Sequence, residues 1–151
     1  MNPRKSDGGL LLHTAKSTLT PLNKGIANIT REMSLEDVPK LGWNLLQEDL
    51  SLPAAVLYAE RLQHNLKWMQ AFPAGYGAKL APHGKTSMAP KLFQRQIDEG
   101  AWGITLATAQ QTRVAYEHGI RRVLMANQLV GKQNMGQVAE MLRDEIGRAH
   151  V

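Results

Sequence analysis

Residues 79–108, KLAPHGKTSMAPKLFQRQIDEGAWGITLAT, constrain the fold of this 151-residue chain more than any other stretch. They read as a short extended segment, 80–85, and then a helix that Pro90 can open at its first turn and Gly100 can stop. A second apolar strand follows at 104–107. The alternation continues beyond it. Thr108 with Gln111 three residues on has the pattern of a capping box, and the helix it starts runs to His118 with Gly119 as its stop. Residues 123–126 form a further short apolar strand, and Met135, Val138 and Leu142 mark the inner face of a last helix. Strands near 80–85, 103–107 and 122–127, separated by helices, predict parallel βα units with right-handed crossovers. The fold class is therefore α/β.

Upstream the signals are weaker. Residues 1–33 carry Gly8, Gly9, Pro21 and Gly25 without sustained periodicity, and they read as a flexible N-terminal arm. A lead-in segment and strand occupies 34–59. Ser34 with Asp37 resembles a cap, Pro39 and Gly42 favour short turns over one long helix, and PAAVLY at 53–58 is an apolar strand candidate. That strand is expected to stand apart from the others. From Glu60 the period becomes helical, with Leu62, Leu66 and Met69 on one stripe that Phe72 and Pro73 end.

Composition narrows the functional classes. The chain has 18 basic and 13 acidic residues, but its tightest basic cluster is Arg121-Arg122 and no lysine tract alternates with aromatics. The charge thus reads as a solvated surface, with no nucleic acid among the expected partners. Leu10-Leu11-Leu12 is too short for a membrane span or a signal core, so no membrane partner is expected. Zero cysteines remove disulfides and thiolate metal sites, and a cytoplasmic location is expected. No GxGxxG or GxxxxGK[ST] motif is present, and the histidines lack HxxxH or HxH spacing, so no metal site is readable.

The chemistry concentrates at Lys85. The alternation alone does not separate a barrel from an open doubly wound sheet. A lysine at the end of a barrel strand, enclosed and held against an aldehyde carbon, can form a Schiff base, but on spacing alone a solvated loop lysine is the favoured reading. His83 lies two residues earlier, on the same side by strand alternation, and could tune the lysine, contact a cofactor or simply satisfy a backbone carbonyl. Thr108, Asn127 and Gln128 end the next two strands on the same rim. Thr108 has a complete alternative reading as an N-cap, and Trp102 reads as packing.

The wording APHGKTSMAP, QIDEGAWGITLAT and RRVLMANQLVG resembles the pyridoxal-phosphate domain of D-amino-acid deaminases and D-threonine aldolases, which share the alanine racemase N-terminal barrel. The resemblance spans residues 40–143. It implies a TIM-type (β/α)8 barrel, of which three βα units fall within 60–145. It also implies that Lys85 holds pyridoxal 5'-phosphate as a Schiff base, with His83, Thr108, Asn127 and Gln128 as cofactor-contact candidates. The activity implied is a lyase reaction deaminating a small D-β-hydroxy amino acid such as D-serine. Retro-aldol cleavage, as in D-threonine aldolase, and a non-catalytic pyridoxal-phosphate carrier are the alternatives. A divalent metal, zinc or manganese, and a homodimer are expected of a full-length enzyme. A complete barrel needs about 250 residues, so the C-terminal β domain is expected to be missing and the 151 residues alone inactive. Residues 146–151 break the preceding apolar period. They back-translate as ATC GGA AGA GCA CAC GTC, the opening of a common sequencing-library adapter, and are expected to be an artefactual tail.

Overall fold

A computed structural model describes residues 18–23, 26 and 29–143. The expected tail at 146–151 and most of the expected arm lie outside the described residues. The chain divides into two compact units, residues 1–56 and 57–151.

In the first unit, strands β1 (Thr18–Leu19) and β2 (Met33–Ser34) pair antiparallel, Thr18 opposite Ser34 and Leu19 opposite Met33. The arm was expected to lack such order, and two residues per strand are too few to show a period in the sequence. Ser34 then caps a 3₁₀ helix, Leu35–Leu41, its side chain accepting from the Glu36 backbone N–H. Gly42 ends it at φ 63°, a left-handed conformation that glycine adopts without a Cβ penalty. A second 3₁₀ turn, Leu45–Gln47, is capped by Asn44. Short turns therefore replace one long helix, as Pro39 and Gly42 suggest.

The strand expected at 53–58 is not formed. No ladder is assigned to those residues, and Leu57 and Tyr58 are 69% and 62% exposed. β-propensity needs a partner strand to act on, and the described residues supply none here.

The second unit begins with helix α1 (Ala59–Ala74). Leu62 and Leu66 are half-buried along it and Met69 is exposed, so the expected stripe is only partly covered. Helices α2 (Pro90–Asp98), α3 (Ala109–Glu117) and α4 (Lys132–Arg143) alternate with strands β3 (Ile104–Leu106) and β4 (Val123–Met125). β3 and β4 run parallel, with Ile104 opposite Val123 and Leu106 opposite Met125. On the other side of β3, His83 makes one parallel bridge to Thr105. The segment that carries His83 falls short of a regular strand because Pro82 has no N–H to give the ladder.

Residues paired across neighbouring strands share a face. Ile104, Leu106, Val123 and Met125 form the face that the helices cover: Phe93 of α2 and Ala115 of α3 join the first cluster, while Val138 and Met141 of α4 join the second. His83, Thr105 and Leu124 lie on the opposite face, where His83 and Leu124 are exposed. The expected inner face of α4 is therefore corrected. Val138 is buried as expected, but Met141 is buried in place of its neighbour Leu142, and Met135 and Leu142 are 50% and 44% exposed.

Gly103 allows this sheet to close up. A Cβ there would come within 2.6 Å of the Arg122 carbonyl oxygen, and backbone cannot yield as a flexible side chain can.

Candidate active site at the Lys85 edge

The segment before Lys85 is tied to β3 by backbone bonds. The Thr105 N–H donates to the Pro82 carbonyl (2.7 Å), and the Gly84 N–H donates to the Thr105 carbonyl (2.8 Å). The Thr105 hydroxyl adds a bond to the Ala81 carbonyl at 2.7 Å. Gly84 is buried, and a Cβ on it would sit 2.6 Å from the Phe93 ring and 2.7 Å from Ile104. Only a glycine lets the chain lie on that core, and the next residue is Lys85. A turn follows, in which the Met88 N–H donates to the Gly84 carbonyl and Met88 itself takes φ 42°. Pro90 then occupies the first turn of α2.

Lys85 is exposed, and among the described residues its ammonium has no hydrogen-bond or ion-pair partner. Enclosure of that amine, expected at a barrel mouth, is not what the described residues provide. His83 is likewise exposed. Because the strands are parallel and in register, Lys85 follows the His83–Thr105 bridge on the same edge where β3 runs into Thr108 and β4 into Asn127.

Thr108 is taken up by capping. Its hydroxyl accepts from the Gln111 N–H at 3.2 Å, and α3 starts at the next residue. Thr108→Ala is therefore expected to cost about 1 kcal/mol of stability, read from the thermal unfolding midpoint, with no change in cofactor uptake. Lost uptake at unchanged stability would instead mark the hydroxyl as a ligand contact. Asn127 uses its Oδ1 locally, accepting from the Gln128 N–H at 3.0 Å, and both side chains are exposed. Lys85, Thr108, Asn127 and Gln128 thus follow neighbouring strand ends, but the described bonds of Thr108 and Asn127 are local and no described contact joins these side chains to one another.

Sequence reading missed one member of this edge. The Gln111 carboxamide accepts from the Ala107 N–H at 3.0 Å and donates to the Lys85 carbonyl oxygen at 3.4 Å. The Thr108–Gln111 capping pattern was the available signal, but it points only to local bonds.

Among the described residues no group of three or more His, Cys, Asp or Glu is placed to hold a metal ion. The metal expected from the resemblance therefore has no ligand set among them. No described helix is long and apolar enough to cross a membrane.

No protein-family signature matches the chain. It is 35% identical over 77 residues to the D-threo-3-hydroxyaspartate dehydratase of Delftia sp. (strain HT23), covering 51% of this chain and 20% of that protein. It is 28% identical over 91 residues to the D-threonine aldolase of Arthrobacter sp., covering 60% of this chain and 24% of that one. Among solved structures, D-threonine aldolase from Filomicrobium marinum superposes with a TM-score of 0.61 at 27% identity, over 68% of this chain and 26% of its own. A cysteine-to-alanine variant of D-threo-3-hydroxyaspartate dehydratase, in the metal-free form, gives 0.58 at 30% identity over 64% and 25%. The chain spans about a quarter or less of the length of each of these proteins.

Proposed function

We propose, for a chain related in sequence and in fold to D-threonine aldolase and D-threo-3-hydroxyaspartate dehydratase, that it forms part of a pyridoxal-phosphate-dependent lyase acting on small D-β-hydroxy amino acids. On this reading the sheet is one part of a TIM-type barrel. Both relatives are named for D-amino acids that carry a hydroxyl on the third carbon. The observation that carries the reading is Lys85, an exposed amine without a partner among the described residues, on a glycine-fixed segment at the edge where parallel strands end.

When bound, pyridoxal phosphate supplies an electron sink that makes the substrate's α-proton acidic. Lys85 would hold the cofactor through its Nζ, and the same amine, when free, would serve as the base for the substrate's α-proton. His83 is exposed two residues before Lys85, on the sheet face opposite the helices, and would offer an imidazole to the same site. Asn127 and Gln128 offer neutral donors and acceptors that can orient a carboxylate or a phosphate without fixing a countercharge. With D-serine, the α-proton and the β-hydroxyl leave as water. A second water then releases the nitrogen as ammonia and leaves the oxo acid.

The dehydratase relative, at the higher sequence identity, favours this deaminating outcome. The aldolase relative supports a second reading, cleavage of the Cα–Cβ bond. The longest natural protein carrying these residues is expected to yield ammonia and an oxo acid from D-serine or D-threo-3-hydroxyaspartate. Glycine and acetaldehyde as the dominant products from D-threonine would transfer the assignment to the aldolase reading, and turnover confined to L-enantiomers would overturn both.

A further inference from the structure

We infer that the side-chain amide of Gln111 is the positioning group for Lys85, tying the lysine's own carbonyl to the end of β3. The inference rests on the reading of Lys85 as the cofactor attachment point. The bonds that fix the preceding residues stop one short of it: the Gly84 N–H is held by Thr105, and the Gly84 carbonyl accepts from Met88 and from the Ser87 hydroxyl. Beyond Gly84 the chain turns away, through Thr86 and Ser87, to the positive φ of Met88. At Lys85 the described tie is the one from Gln111 Nε2, spanning 26 residues of sequence.

The other end of that amide is anchored. Gln111 Oε1 accepts from the Ala107 N–H immediately after β3, and the Gln111 N–H is held by Thr108 Oγ1 in the first turn of α3. A capping-box residue reaches back to the N–H of the cap itself; here the acceptor is turned one residue further, to Ala107, and the NH₂ group faces Lys85. Such a bridge needs a donor and an acceptor on one planar terminus. Among side chains of this length only glutamine offers both, whereas glutamate only accepts when ionised. The Ala107 end of the bridge is partly buried, whereas the Lys85 end is exposed. A tethered carbonyl narrows the arc open to the lysine stem, and restricted approach geometry is what raises the rate of attack on an aldehyde.

Two substitutions separate the tether from the cap. Q111E keeps an acceptor for Ala107 but sets a carboxylate oxygen against the Lys85 carbonyl, while Q111M removes both bonds. Each is compared with the parent protein, in its longest natural form, by amide hydrogen exchange without cofactor and by the rate at which pyridoxal phosphate becomes borohydride-trappable at Lys85. Exchange across residues 85–88 is expected to rise at least several-fold in both variants while residues 104–106 stay protected, and trapping is expected to slow about tenfold. Unchanged exchange across 85–88 would overturn the inference, as would a rise shared equally by 104–106, which marks general loosening. Should the parent itself never trap cofactor at Lys85, the functional proposal falls, and the exchange comparison still decides the tether.

Discussion

On the proposed function, Lys85→Ala is expected to eliminate covalent attachment of pyridoxal phosphate and to leave the fold intact. The reason for the first half is chemical: an alanine methyl cannot add to an aldehyde, and no described side chain takes over the position. Lys79 precedes the segment and Lys91 lies in the first turns of α2, so neither follows the His83 bridge onto the strand-end edge. The second half follows from exposure. Lys85 buries no side chain and pairs with no charge among the described residues, and a substitution of that kind changes stability by about 0.5 kcal/mol or less. Lys85→Arg is expected to match alanine in the chemistry while keeping the charge, because a guanidinium that stays protonated does not form the bond. The measurement is borohydride reduction followed by peptide mapping, together with the visible absorbance of the loaded protein. Labelling that persists at Lys79 or Lys91 in the alanine variant, at the parent level, would remove Lys85 from the site.

Phe93→Ala is expected to be the most destabilising single change in the second unit. Its ring is fully buried at 0% exposure, among Ile104, Leu106, Ala115, Ile120 and Val123, with Met88 and Ile97 packed at the margin. Truncating a core phenylalanine costs about 3–5 kcal/mol through lost transfer energy and the cavity left behind. A domain of ordinary stability holds only about 5–15 kcal/mol in total. The cost reaches the site as well, since Gly84 packs against that ring and a Cβ at Gly84 would meet it at 2.6 Å. Urea unfolding of Phe93→Ala and Phe93→Leu should show a steep loss for alanine and a milder one for leucine. A loss under about 1 kcal/mol for alanine would mean that the ring is not the centre of this core.

The alternation of strand and helix after residue 79 was legible because each element carries its own punctuation. Pro90 opens α2, Gly100 and Gly119 take φ 108° and 89° where the helices stop, and the Thr108 hydroxyl caps α3. Such signals are local, and so is the chemistry behind them. What sequence reading missed depends on partners distant in the chain. PAAVLY has strand composition, yet it finds no strand to pair with among the described residues. On α4, Met135 and Leu142 are as apolar as Val138 and Met141, and only the position of α3 decides which pair is buried. Within the candidate site, the Thr108 cap was readable from its pattern. The long-range role of Gln111 was not readable, because a glutamine at the third helical position satisfies a local rule whichever way its amide turns.

β3 distributes its hydrogen bonds unequally, and this sets an order of opening. Toward β4 it is backed by the ladder and by the cores on the helix-covered face, so separating the two strands would flood Ile104 and Leu106 together. Toward the lysine segment it holds Pro82 and Gly84 through Thr105, and Pro82 leaves that side a donor short. Lifting this segment breaks these bonds, with those from Trp102 to Leu80 and from the Thr105 hydroxyl to Ala81, and uncovers the Phe93 ring and Ile104 beneath Gly84. Sub-global openings of this sort cost less than unfolding the whole and recur far more often. The amine is therefore mounted on the flank of β3 without a regular ladder, beside a strand backed on its other flank by a ladder and two cores. On the proposed reading of Lys85, the strand beside the amine keeps its shape whichever way the segment that carries it moves.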